Sequence, residues 1–318
     1  MFIRYLAAAV LALPAIFAHA QDYPTRPVRI VVGFSAGSGT DTFARLLAQS
    51  MTKRLGQNFL VENRPGAGGN VATQYAIGQP GDGYTILTIT PSTAIASAKQ
   101  NPPYSIERDQ TPIVFTGEVA LAFYVTPSLP AKTMADFIAY AKANPGKLSM
   151  ASVGIGSTGH LGFELLKLQQ GLDVVHVPFK SSAEATRSVV AGESQIGLDP
   201  FSVLSPLAES GKVRVLAVAS AKRHPVAPTL PGMEELGFRD YDVFAWTGFG
   251  SPAGTPAPIV QKLNAAFNAT YQEPEVKAYL DRTGYRIRGG APEDFARHIA
   301  REVATWRKII AQGKFQFD

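Results

Sequence analysis

Short apolar runs alternate with helical segments along this chain, and the alternation occurs in two separate units. In the first unit, a strand-like run at residues 28–34 precedes an amphipathic helix at 41–55, and strands and a helix alternate again between residues 59 and 90. This alternation is typical of a parallel sheet, because each helix returns the chain across one face of the sheet. The pattern therefore predicts an α/β fold.

The second unit begins near residue 121 and has the same order of elements. Its strands are predicted at 121–126, 148–152, 174–177, 195–198 and 213–219, and its helices at 133–143, 158–170 and 183–191. Further helices are predicted at 257–271, 274–282 and 292–312, and loose segments rich in proline and polar residues at 101–114 and 222–242.

The chain is long enough for two domains, since about 300 residues exceed what one hydrophobic core usually holds. The segments that begin at Phe123 and Gly248 resemble each other and each leads into a helix, so we interpret them as crossovers between domains. We expect one domain from residues 21–117 and 246–318 and the other from 118–245, with hinge crossovers near 118–124 and 243–249.

The N-terminal segment predicts export. Arg4 precedes an apolar run at residues 6–17, and Ala18-His19-Ala20 has the small residues of a cleavage site, so residues 1–20 are interpreted as a signal peptide. No later stretch is long and apolar enough for a membrane span, and the chain has no cysteine for a lipid anchor or a disulfide. We expect no stable membrane insertion.

Charge does not indicate a nucleic-acid partner. Without Arg4, the 30 Lys and Arg residues become 29, against 25 Asp and Glu, a net charge of +4. The basic residues occur singly rather than in runs, which is typical of a solvated surface.

Each unit contains a strand, a Gly/Ser loop and a helix start in immediate succession, at residues 33–41 and 152–160. Such junctions direct unpaired backbone N–H groups and the positive end of a helix dipole toward the same point, which favours anions. The hydroxyls that could donate to a carboxylate there are Ser35, Ser38, Ser157 and Thr158. Ordinary helix capping by Ser and Thr remains the alternative.

Asp199 follows the strand predicted at 195–198, a position that faces the ligand cleft in open α/β sheets. It could accept a hydrogen bond from a ligand ammonium or hydroxyl group. It could equally form an Asx turn before Pro200.

The sequence motifs of dinucleotide-binding, serine-hydrolase and metal sites are incomplete or absent. Gly154, Gly156 and Gly159 have the spacing of a dinucleotide fingerprint, but the next strand has Asp173 at its beginning and no acid at its end. No serine lies in a Gly-x-Ser-x-Gly motif, and no histidine has metal-site spacing. We expect no metal, no cofactor and no enzyme activity, and an exported hydrolase using Ser157 with His160 is the weaker alternative.

Several motifs in order resemble the Bug-type receptors of tripartite tricarboxylate transporters. They are Tyr23-Pro-Thr-Arg-Pro-Val-Arg-Ile-Val-Val, Phe34-Ser-Ala-Gly with Asp41 and Ala44-Arg45, Val61-Glu-Asn-Arg-Pro-Gly-Ala-Gly-Gly69, Asp82-Gly-Tyr, Gly154-x-Gly-Ser-x-x-His-Leu161, His176-Val-Pro-Phe-Lys180 and Leu198-Asp199. The resemblance covers essentially the whole mature chain.

The resemblance implies a two-domain type II periplasmic binding protein fold with the ligand cleft between the domains. It implies a periplasmic monomer that holds a small carboxylate and presents it to the membrane permease of a tripartite carrier; a receptor read by a membrane sensor is the alternative. The ligand contacts it implies are Phe34, Ser35, Ala36, Gly37, Ser38, Asp41, Ser92, Thr93, Ser152, Gly156, Ser157, Thr158 and Asp199.

The sequence departs from the family pattern at two places near this expected site. The first loop has Ala36-Gly37-Ser38-Gly39 where a double glycine is usual, and Lys180 is followed by Ser181-Ser182 rather than by glycine. Both departures leave the identity of the ligand open.

Overall fold

A computed structural model describes residues 23–312, and the predicted signal peptide lies outside them. The strands are β1 (Val28–Val32), β2 (Phe59–Asn63), β3 (Thr85–Ile89), β4 (Gln110–Val125), β5 (Ser149–Ser152), β6 (Val175–Pro178), β7 (Ile196–Pro200), β8 (Arg214–Val218), β9 (Phe244–Pro252) and β10 (Tyr285–Ile287). The helices are α1 (Gly39–Leu55), α2 (Asn70–Ile77), α3 (Pro91–Ala98), α4 (Met134–Ala143), α5 (Thr158–Gln170), α6 (Ser182–Ala191), α7 (Phe201–Glu209), α8 (Ala257–Thr270), α9 (Pro274–Thr283) and α10 (Pro292–Gln312).

The strands form two parallel groups that one long strand connects. In the first group, β1 lies between β2 and β3 and is parallel to both, and β9 pairs antiparallel with β3 and with residues 110–120 of β4. In the second group, β5 lies parallel between β6 and β7, and residues 121–125 of β4 pair antiparallel with β7 and β8. We call residues 23–120 and 244–312 the first half and residues 121–243 the second half.

Each half has its own buried apolar side chains. Phe123, Phe137 and Phe163 are fully buried in the second half, and Phe43 and Phe267 are fully buried in the first. Burying a side chain of this size contributes about 1.5–3 kcal/mol, so each half has a substantial core. Within residues 23–312, no helix is both long enough and apolar enough to span a bilayer.

The prediction that residues 101–114 are loose is wrong at its C-terminal end, because β4 begins at Gln110. Pro112 made this stretch unlike a strand, since proline cannot donate to a sheet ladder. In the structure, Pro112 lies where the register between β4 and β9 shifts, so the ladder accommodates it.

Four elements were absent from the prediction, namely α3, α7, β9 and β10, and the segment of β9 had been interpreted only as a crossover. All eight residues of α3 are buried, so its sequence has no polar face to give a helical period. Helix α7 contains Pro206, and β10 is a three-residue strand that pairs with residues 117–119 of β4. Each is stabilised by tertiary contacts more than by local sequence.

Candidate ligand-binding site

The first Gly/Ser loop connects β1 to α1 and is open to solvent at Ser35, Ala36 and Gly37. Gly37 has φ +81°, a left-handed conformation that glycine adopts at little cost. Ser38 caps α1, because its Oγ accepts a hydrogen bond from the Asp41 backbone N–H at 3.2 Å. Ser38 caps the helix while the backbone of the loop stays exposed. Helix capping and anion binding are therefore compatible interpretations of this loop.

Asp41 is buried and stabilises this loop through hydrogen bonds to its carboxylate. Its carboxylate accepts hydrogen bonds from the Gly37 N–H at 2.8 Å, from Arg45 Nε at 3.0 Å and from Asn63 Nδ2 at 2.8 Å. Burial acts to raise its pKa, but the hydrogen bonds from Arg45, Gly37 and Asn63 outweigh burial and keep the pKa below its ordinary value. Asp41 is 2 % exposed, so the structure places it as a support for the loop.

Asn63 is a supporting residue that the sequence reasoning missed. Its Nδ2 also donates to the Phe34 carbonyl at 3.0 Å, and its Oδ1 accepts from Arg45 at 3.0 Å. The available signal was its position at the end of β2, where side chains of a parallel sheet meet the neighbouring loop.

The second Gly/Ser loop connects β5 to α5. Ser157 caps α5 by accepting from the His160 N–H at 3.3 Å, and Gly154 and Gly156 have φ of +118° and +78°. Ser152 Oγ accepts from the Gly154 N–H at 3.1 Å. The loop thus has the same construction as the first, with Thr158 half-buried at the helix start.

Two histidines, His160 and His176, support this second loop, a role that the sequence did not indicate. His160 Nδ1 accepts a hydrogen bond from the Gly156 N–H at 3.1 Å, and the His176 ring stacks on His160 at 3.9 Å. His176 Nε2 is 2.6 Å from Ser152 Oγ. Burial, with Lys167 adding, lowers the pKa of His160 to about 4, so it stays neutral and keeps its acceptor.

Ser92 and Thr93 lie in the first turn of α3, at the end of β3, and both are buried. Thr93 Oγ1 donates to the Thr90 carbonyl at 2.7 Å. Thr90, which was not predicted as a site residue, is the N-terminal cap of α3, and its backbone N–H donates to Thr93 Oγ1 at 3.1 Å.

Asp199 is buried inside the second half, with 3 % exposure. Tyr124 donates to its Oδ2 at 2.8 Å, and Ser182 Oγ donates to its Oδ1 at 2.7 Å. Burial raises the pKa of Asp199 to about 6, although the hydrogen bonds from Ser182, Tyr124 and Thr186 act to lower it. Gly197 provides the space for Tyr124, since a Cβ there would lie 2.5 Å from the ring.

The two Gly/Ser loops flank one glycine turn, Ala67–Gly69, which follows β2. A Cβ on Gly33 would lie 2.5 Å from the Gly69 Cα, and a Cβ on Gly68 would lie 3.2 Å from the carbonyl of Gly156. The loops at the carboxyl ends of β1 and β5 therefore reach the same place from opposite halves. Because α1 and α5 begin there, two helix N-termini lie close to a shared space.

A cavity of about 290 Å³ lies elsewhere, at the amino end of β5, where Tyr140, Asn144 and Lys147 line it. Asn144 is the C-terminal cap of α4, so the helix directs carbonyl groups toward this region. The negative end of a helix dipole disfavours an anion, and Lys147 is the only charged side chain among its lining residues. The cavity is a weaker anion site than the two Gly/Ser loops at residues 33–41 and 152–160, which we call the paired loops.

The chemistry that the paired loops offer is hydrogen-bond donation from backbone N–H groups and hydroxyls. Among residues 23–312, no three His, Cys, Asp or Glu side chains are arranged to hold a metal ion. Two α/β halves joined by antiparallel strands, with donor-rich loops of both halves meeting at one place, define a type II periplasmic binding protein.

Comparison with known proteins gives the family. The model of the tripartite tricarboxylate transporter family receptor (TctC) matches residues 43–314. Protein BugT of Bordetella pertussis is 30 % identical over 311 residues, which cover 97 % of this chain and 94 % of BugT. This chain belongs to the tripartite tricarboxylate transporter receptor family, as its motifs predicted.

Solved structures agree with this assignment. Rpa4515 of R. palustris with adipate has 36 % identity and a TM-score of 0.82, over 92 % of this chain and 98 % of that one. MatC from Rhodopseudomonas palustris with bound malate has 31 % identity and a TM-score of 0.83, over 91 % of this chain and 100 % of that one. The predicted fold class is confirmed, and the chain is a solute-binding receptor by family and by structure.

Proposed function

We propose that this protein captures a small carboxylate-bearing solute in the periplasm and delivers it to the membrane permease of a tripartite carrier. The observation that carries the proposal is the meeting of two capped helix starts, α1 and α5, beside the turn Ala67–Gly69. Backbone N–H groups and helix dipoles directed at one point favour an anion over a neutral or cationic ligand.

The ligand classes of the solved relatives support the choice of a carboxylate. Adipate and malate are both small dicarboxylates, and they occur with Rpa4515 and MatC respectively. We propose the same class of ligand for this chain, with contacts from the exposed first loop, from the second loop at Gly156 and Thr158, and from the start of α3 at Ser92.

We further propose that the two halves are separate domains, formed by residues 21–117 with 246–318 and by residues 118–245. The support is that most buried side chains of the two halves fall into different clusters. β4 crosses between the halves and the chain returns to the first half where β9 begins at Phe244, so rotation at these two points would open and close the space between the loops. The working unit in this proposal is a monomer without a cofactor.

The experiment is a thermal-shift and native mass-spectrometry screen of the purified protein with mono-, di- and aromatic carboxylates. At about 100 times its Kd, a ligand adds about 2.7 kcal/mol of stability, which moves the melting temperature measurably. A panel of carboxylates that gives no shift and no bound mass contradicts the proposal. Loss of uptake of the identified ligand on gene deletion supports delivery to a permease, whereas lost induction with uptake retained supports a sensor.

A further inference from the structure

The carboxyl groups near the paired loops decide whether a ligand ammonium group has an acceptor. Asp41 and Asp199 are the acids that the sequence places there, and they are 2 % and 3 % exposed. An ammonium group has only donors, so it binds well where a carboxylate is available to accept.

Each oxygen of Asp199 already accepts one hydrogen bond, and the side chain is buried. Ser182 donates to Oδ1 at 2.7 Å and Tyr124 donates to Oδ2 at 2.8 Å. Burial raises the pKa of the Tyr124 phenol, with the charge of Asp199 adding to this, so the phenol keeps its proton and remains a donor. Both donors belong to the second half, and Thr186 Oγ1 lies 3.4 Å from the Tyr124 hydroxyl.

Asp41 is occupied in the same way by its own half. Its Oδ2 accepts from Gly37 and from Arg45, and its Oδ1 accepts from Asn63. Arg45 also balances its charge at 3.0 Å. A ligand ammonium group would have to reach a carboxylate that is 2 % exposed and already paired with Arg45.

Other acids close to the loops in sequence also have partners. Glu62 pairs with Arg64 at 2.7 Å, Glu164 pairs with Lys167 at 2.8 Å, and Glu184 accepts from the Lys180 N–H at 3.1 Å. The two loops offer the hydroxyls of the exposed Ser35 and the half-buried Thr158 and the backbone N–H groups at the helix starts, all of which can donate to carboxylate oxygens.

We infer that the ligand is an organic acid without an ammonium group, and that Ser182 and Tyr124 set this selectivity by occupying Asp199. The inference rests on the proposed function, since it names the chemical class within the carboxylates.

The test is titration calorimetry with acids that differ only by an amino group: succinate and aspartate, glutarate and glutamate, adipate and 2-aminoadipate, 3-phenylpropionate and phenylalanine. In the pair that binds best, we expect the amino-free acid to bind at least tenfold more tightly. Equal or tighter binding of the amino acid overturns the inference. If no acid of either kind binds, the proposed function itself fails, so the two failures are distinguishable.

Ser182→Ala tests the role of Asp199 directly, because it removes the donor to Oδ1. We expect the ratio of the two affinities in that pair to fall at least threefold. Ser205→Ala, at a partly buried serine on α7, is the matched control and leaves the ratio unchanged. A Ser182→Ala protein with native circular dichroism and an unchanged ratio removes Ser182 from the inference; if the variant does not fold, the same measurement on Tyr124→Phe decides.

Discussion

Gly68 and Gly156 touch across the two halves of the molecule, with the position of a Gly68 Cβ only 3.2 Å from the Gly156 carbonyl carbon and oxygen. Gly68 has φ +63° and Gly156 has φ +78°. The contact is made by the Gly156 backbone and depends on Gly68 having no side chain, whereas a Cβ on Gly156 would meet nothing within 4 Å. It joins the glycine turn of the first half to the second Gly/Ser loop.

Gly68→Ala should weaken ligand binding by forcing this contact apart. The left-handed conformation costs an alanine about 1–2 kcal/mol wherever it occurs, so stability alone does not report on the contact. Gly211→Ala is the matched control, since Gly211 has φ +69° and nothing within 4 Å of its Cβ position. We expect similar melting temperatures for the two variants and a lower affinity, by calorimetry, only for Gly68→Ala; equal affinities would contradict the role of the contact.

Asp41→Asn should loosen the first loop. The substitution removes the charge that Arg45 pairs with and one acceptor for the Gly37 N–H, and losing such hydrogen bonds costs about 1–3 kcal/mol. Urea denaturation measures the loss in the free energy of unfolding, and Asp281→Asn, at an exposed position on α9, is the control. A change below about 0.5 kcal/mol would show that Asp41 does not hold the loop.

Thr158→Val should reduce ligand affinity without unfolding the protein. Valine has a similar volume but no hydroxyl, so the variant removes one donor at the start of α5. Loss of a hydrogen bond worth about 1–2 kcal/mol corresponds to roughly a five- to thirtyfold higher Kd. Thr305→Val, exposed on α10, serves as the control in calorimetry. Identical Kd values for the two variants would remove Thr158 from the proposed contacts.

Acidification should destabilise the protein between pH 6.5 and 4. Burial lowers the pKa of His160, His176 and His298 to about 4 from the ordinary value of 6.5. Because the folded pKa is the lower one, the unfolded chain takes up protons first as the pH falls, so stability present above pH 6.5 is lost toward pH 4. Asp199, with its pKa raised to about 6, acts in the opposite direction and offsets part of this loss.

His160→Gln isolates the contribution of His160 to this loss of stability on acidification. Glutamine can still accept from the Gly156 N–H but does not titrate, and the Glu164–Lys167 ion pair beside the histidines is unchanged. We expect the difference in unfolding free energy between pH 7 and pH 4.5 to shrink by about 1–3 kcal/mol relative to the original chain. If the unfolding free energies of the two proteins, measured by urea denaturation, change with pH in parallel, His160 does not contribute to the pH dependence.

Local patterns predicted much of the fold and the place of the site. The bounds of α5 and α10 agree with the prediction, because amphipathic period and capping residues are local signals. The exposed Ser35 and the capping Ser38 and Ser157 also follow from short motifs. Buried α3, without a polar face, had no such signal.

The hydrogen bonds that support the site residues could not be predicted, because they join residues that are distant in sequence. Tyr124 reaches Asp199 from 75 positions away, and His176 lies against the Ser152 hydroxyl from 24 positions away. Asp199 was expected either to accept from a ligand or to form an Asx turn. In the structure it accepts from Tyr124 and Ser182, which only the three-dimensional arrangement of β4, α6 and β7 could indicate.

The pairing of β4 with β9 also sets an order of assembly. The second half is one uninterrupted stretch of chain, and its strand pairings join residues fewer than 100 positions apart, such as Ala122 and Val218. The first half cannot complete its sheet until β9, which begins at Phe244, has returned to β4, and β10 adds at Tyr285 later still. Since contacts between distant residues form slowly, the uninterrupted half should reach its native pairing first, and the half built from two separate stretches of chain should set the folding rate.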